Sequence, residues 1–152
     1  MRYLTLFFSI IAFSVSISAQ TETISTYKVT NYSIDGVKYD NVALDEDLAL
    51  SFYLCDDDQL CLANEFRKTN SQSYGGVFGL KSSQIEETDS TYASDVFQFT
   101  WDFANTYDAV TGKASVTMTQ VYIGNTIKLI AQIVVLETNQ VLDFVGYLEE
   151  KN

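Results

Sequence analysis

The stretch that decides the fold is Val96-Phe97-Gln98-Phe99-Thr100-Trp101-Asp102-Phe103. Aromatic rings stand at every second position, with Gln98, Thr100 and Asp102 between them. Side chains two apart share a face of a β-strand, so the rings collect on one side and the polar groups on the other. Wound as a helix, the same rings would point all around the circumference. A strand with one dry face is expected, and Phe97, Phe99, Trp101 and Phe103 are read as core.

The same period extends outward in both directions. Downstream, residues 113–123 are rich in Thr and Val, Gly124-Asn125 suits a tight turn, and residues 126–138 return. Asn139-Gln140 then turns the chain into residues 141–148. Upstream, residues 24–34 meet Asp35-Gly36, a pair suited to the positive φ of hairpin turns, and residues 37–44 return. After the acidic turn Asp45-Glu46-Asp47, residues 48–55 and 60–67 form the next pair. Leu48, Leu50, Phe52 and Leu54 share one face, as do Leu60, Leu62 and Phe66. Residues 74–80 carry Gly75, Gly76 and Gly79, which point to a bulge or a close backbone approach. Residues 81–95 read as a long polar connection, either a lid or disordered.

Nine strands with mostly short links, and no helical pattern of ten residues between them, argue for an antiparallel all-β meander. Such a meander must protect its edges. The expected solution is a closed or nearly closed barrel or roll, with a two-sheet β-sandwich as the alternative. In strand order the chain resembles lipocalin-like barrels as architecture alone. No Gly-x-Trp stands near the N-terminus, and the single Trp lies at position 101.

The N-terminus reads as an export signal. Met1-Arg2 is a positive start, residues 3–18 are largely apolar, and Ile17-Ser18-Ala19 offers a small-residue cut site before Gln20. Residues 3–18 fall short of the ~20 apolar residues that a spanning helix needs. A cleavable signal peptide over 1–19 is expected, followed by one all-β domain over 20–152 and a secreted or periplasmic location. Removing 1–19 leaves 133 residues and eight of the nine basic residues against 20 acidic ones, a net charge of −12. That charge disfavours nucleic acid and anionic membranes as partners.

Composition also limits the chemistry. There is no His, which excludes Ser-His-Asp and Cys-His catalysis and His-ligated zinc, and there is no Pro. The only cysteines, Cys55 and Cys61, are expected to form a disulfide around Asp56-Asp57-Asp58-Gln59-Leu60. Asp56, Asp57 and Asp58 are weak candidates for calcium, since Leu60 and Cys61 stand where further ligands should be. Residues 75–82 fail the spacing of a phosphate-binding loop. Asn31-Tyr32-Ser33 fits a glycosylation acceptor.

The composition leans away from an enzyme and implies no cofactor. Were there one, a carboxylate-based glycan hydrolase using Asp102, Asp143 or Glu65 would be the candidate. The leading expectation is a non-enzymatic exported barrel that binds a small apolar or aromatic ligand or a protein partner. Tyr27, Tyr32, Tyr39, Tyr53, Tyr107 and Tyr122 are candidate linings for a cavity or a sugar-binding surface. The alternative is an envelope-structural, interaction or inhibitor module without a cavity. Residues 126–136 and 141–148 are apolar on both faces and need cover on both. Residues 81–95, the N-terminal segment or a second copy of the C-terminal hairpin could supply it.

Overall fold

The computed structural model describes residues 22–86 and 93–151; the signal reading over 1–19 therefore lies outside the described residues. The strands are β1 (Glu22–Ile34), β2 (Val37–Lys38), β3 (Leu48–Leu54), β4 (Leu60–Phe66), β5 (Ser71–Glu86), β6 (Ala93–Asn105), β7 (Thr111–Ile123), β8 (Thr126–Val135) and β9 (Val141–Leu148). A short helix, α1 (Asp40–Asp45), lies between β2 and β3, and a 3₁₀ turn (Asp56–Asp58) joins β3 to β4. Every pairing is antiparallel.

The sheet closes on itself. β1 pairs with β3 through residues 22–28 and with β9 through residues 27–34, so one bent strand serves as both ends of the meander. Eight strands form the barrel, and β2 is a two-residue extra on β1. The bend falls at two irregularities in β1, between Thr23 and Ser25 and between Val29 and Asn31; bulges sharpen the twist of a strand in this way. Closure removes the edges that an open sheet would expose.

Alternation places Phe97, Phe99, Trp101 and Phe103 inside, running from one end of the lumen to the other. Around Trp101 the interior is filled by Tyr27, Leu50, Leu62, Met118, Ile133 and Phe144. The Trp101 indole N–H donates to the Leu62 carbonyl at 3.1 Å, which satisfies a donor that would be expensive to bury alone. Tyr32 stacks on Phe144 with ring centroids 5.0 Å apart.

Three expectations need correction. Residues 37–44 do not form one returning strand: Val37–Lys38 pairs briefly and Asp40–Asp45 is helical. A six-residue helix has no independent stability. It persists because Ala43 is fully buried in the core cluster and Asp40 is tied to β1. The Asp40 carboxylate accepts the Tyr32 backbone N–H at 2.9 Å and the Asn31 side-chain amide at 3.3 Å, next to the β1 irregularity. Residues 81–86 and 93–95 are not a loose connection but the continuation of β5 and β6, paired with each other. Nor do they cover the C-terminal hairpin, because β5 and β6 lie across the barrel from β9. The irregularity expected from the glycines falls between Phe78 and Lys81, where Gly79 has φ +63°.

Candidate functional site

The two ends of the barrel differ. α1 sits at one end, with Ala43 plugging the lumen. The opposite end holds the first residues of β1, the Cys55–Cys61 disulfide and the β7–β8 turn. There the lumen opens into an apolar cavity of about 180 Å³. Its wall is Phe52, Leu60, Phe97, Phe99, Met118 and Leu129, drawn from five strands, with Ile24 and Leu80 at the rim.

Polar groups cross this mouth in a chain. The Gln120 amide donates to the Tyr27 hydroxyl, and the Tyr122 hydroxyl donates to Asp95 at 2.6 Å, with Gln120 Oε1 3.2 Å away. Tyr27 is on β1 and Gln120 on β7, strands that are not neighbours, so their bond straps the lumen from side to side. The hydrogen bond to Asp95 and then burial push the Tyr122 hydroxyl up to about 12. Burial likewise raises Tyr27. Both phenols therefore remain neutral hydrogen-bonding groups across the physiological range.

The disulfide Cys55–Cys61 is present and holds the ends of β3 and β4 together beside the mouth. Gln59 reinforces the loop by donating its side-chain amide to the Val77 carbonyl of β5 at 2.9 Å. Asp56, Asp57 and Asp58 are all exposed. Among the described residues no three Asp, Glu or Cys side chains are placed to hold a metal ion.

The candidate carboxylates are not brought together. Glu65, Asp102 and Asp143 all face outward, on β4, β6 and β9. Asp102 lies 4.0 Å from Lys113, and Asp143 accepts from Gln132 at 3.0 Å. Glu65 and Asp102 are two strands and four residues apart in register, roughly 15 Å of sheet. Paired glycosidase carboxylates stand about 5–9.5 Å apart. Of the tyrosines singled out, only Tyr27 and Tyr122 reach the mouth. Tyr32 is core, Tyr39 lies at the start of α1, Tyr53 faces outward and Tyr107 is an exposed turn residue.

Met118, Leu80 and Ile24 were not legible as site residues. Each looks like one more apolar strand position, and the cavity exists only because closure brings distant strands together. The exposed apolar rim of Ile24 and Leu80 is the one local signal. Comparison with known proteins finds no matching family model, no matching curated protein and no matching solved structure. The chemistry of the site therefore rests on its own geometry.

Proposed function

We propose that this is an exported, non-enzymatic barrel that holds a small apolar or aromatic molecule in its mouth. The observation that carries the reading is the 180 Å³ apolar cavity bordered by a strap of tyrosine and glutamine hydrogen bonds. A cavity of ~150 Å³ lined by aliphatic and aromatic side chains holds a benzene ring, whereas drug-sized ligands take roughly 300–1,000 Å³. The fit is to a single ring or a short alkyl chain, with one hydroxyl or amine directed at Ser25, Gln120 or the tyrosine hydroxyls. About ten heavy atoms in such a site suggest affinities near 0.1–1 mM, tighter if more of the ligand packs on the rim. Export rests on the signal-like residues 1–19.

Native mass spectrometry of freshly purified protein, followed by NMR titration with phenol, indole and C6–C10 alkanols, tests this. Saturable shifts at Phe97, Phe99 and Met118 are expected, and Leu60→Trp, which fills the cavity, should abolish them. No co-purified molecule and no saturable shift from any of these probes would end the reading.

A second reading is an interaction module that pairs with another copy through the outer face of β8 and β9. Ile130, Leu136 and Tyr147 are exposed there, beside half-buried Val134, Val141 and Val145, and no described residue covers them. Light scattering decides it: a concentration-independent monomer removes this reading, and a dimer broken by Ile130→Lys supports it.

A further inference from the structure

The outer wall formed by β1, β3, β4 and β5 is not an ordinary wet face. Ala49, Ser51, Cys61 and Ala63 point out of the barrel and are nevertheless almost wholly buried. Larger neighbours pack over these small side chains, and between those neighbours lies a depression that reaches Ser51, Thr26 and Thr23. Tyr74 rises opposite Ala63, Tyr53 opposite Cys61, and Glu65 opposite Ala49 and Gln72. The result is a groove of about 600 Å³, separate from the mouth cavity.

Its electrostatics exclude several ligand classes. Arg67 borders the groove, but its guanidinium is committed to Glu149 at 2.7 and 3.0 Å and to Asp47 at 2.9 Å. Arg67 is the one cation among the described residues that line the groove, while Asp56 and Glu65 add negative charge. Phosphate and carboxylate groups are therefore disfavoured. An extended peptide would need a free strand edge, and β3 and β4, which carry the middle of this wall, are paired on both sides.

What the groove offers is two tyrosine rings among hydrogen-bonding groups. Tyr74 is 42% exposed and Tyr53 is half-buried. Among the described residues nothing hydrogen-bonds the half-buried Glu65 carboxylate, and burial holds its pKa above the ordinary carboxylate value. Gln72, Ser51 and the phenols supply further donors and acceptors. Rings for the C–H faces of a ligand, and a desolvated carboxylate and amide for its hydroxyls, describe a neutral polyol.

We infer that this outer groove is a binding site for a neutral oligosaccharide, with Tyr74 and Tyr53 as the stacking surfaces and Glu65 and Gln72 as the hydroxyl partners. This site is independent of the ligand proposed for the mouth. The test is a two-dimensional NMR titration of the purified protein with cello-, xylo-, manno-, malto- and chito-tetraose, each to about 10 mM, a range that captures weak glycan affinities. At least one sugar should produce saturable shifts at Ser51, Ala63, Gln72 and Tyr74 while leaving Phe97 and Met118 in place. Tyr74→Ala should weaken binding about tenfold or more, and Glu65→Gln several-fold. Both variants should keep a dispersed spectrum, and Leu136→Ser, across the barrel, should bind normally. Absence of groove shifts with all five sugars overturns the inference, as does binding that survives both substitutions or maps to the mouth.

Discussion

Replacing Gly146 with alanine should loosen the seam that closes the barrel. Gly146 lies on β9 opposite Val29, where β1 bends across from its pairing with β3. A β-carbon there would stand 2.7 Å from the Lys28 carbonyl oxygen, 3.2 Å from the Lys28 carbonyl carbon and 3.3 Å from the Val29 α-carbon. All three are backbone atoms, so no side chain can rotate away, and the strands must part by about 0.7 Å to restore ordinary contact. Overpacking of this kind costs about 1–3 kcal/mol, and a weakened ladder hydrogen bond adds about 1 kcal/mol. The expected loss is about 2–4 kcal/mol, a large part of the ~5–15 kcal/mol of a typical domain. At roughly 3 °C per kcal/mol for a chain this size, Tm should fall by about 6–12 °C. The comparison variant is Gly36→Ala, where φ is +81° but nothing lies within 4 Å; only the left-handed backbone penalty of about 1 kcal/mol applies there. Urea and thermal unfolding followed by circular dichroism measure both. If Gly146→Ala unfolds within about 0.5 kcal/mol of the parent protein, the close approach of β1 and β9 is wrong and so is the closure built on it.

Arg67→Met should destabilise by about 1–2 kcal/mol; the bidentate geometry favours a larger value, but all three partners are roughly one-third exposed and screened. Arg67 hydrogen bonds hold the Asp47 and Glu149 carboxyls below their ordinary values of 3.8 and 4.5. Their contribution is thus complete above about pH 5 and is lost as pH falls through the lowered values, so acid unfolding should begin at higher pH in Arg67→Met. Glu65 runs the other way: burial raises its pKa, so its charge weighs against folding at neutral pH, and Glu65→Gln should unfold no earlier than the parent at pH 7. Reducing Cys55–Cys61, which closes a short loop, should lower stability by about 2 kcal/mol in denaturant titrations and leave the barrel's circular dichroism intact. Asn64 is buried with its side-chain oxygen unpartnered, so Asn64→Leu should raise stability by about 1–2 kcal/mol in the same assay.

The barrel was legible where burial imposes a period. Phe97 to Phe103 alternate because one face lines the lumen, and Asp35-Gly36 and Gly124-Asn125 turn where positive φ is needed. The period fades where burial does. Lys81, Ser82, Ser83 and Gln84 are exposed, so nothing apolar marks them as strand although they pair with β6. α1 was hidden for a different reason: only Ala43 is buried, too little for a helical pattern in six residues, and the tertiary plug holds the helix in place. The apolar outer face of β8 and β9 was visible in the alternation of Ile130, Val134 and Leu136, but its exposure required the closed sheet. Both proposed surfaces share that limit. The mouth gathers single residues from distant strands, and the groove gathers Thr26, Ser51, Glu65 and Tyr74 from four strands.

Everything proposed for the mouth requires a lumen, and a lumen requires β1 to meet β9. Backbone NOEs across that seam test it most directly. The account predicts contacts between Tyr32 and Phe144 and between Ile34 and Leu142, with the amides of the intervening pair, Ser33 and Asp143, slow to exchange. Rapid exchange along β9 with no NOE to β1 would show an open sheet and contradict the account.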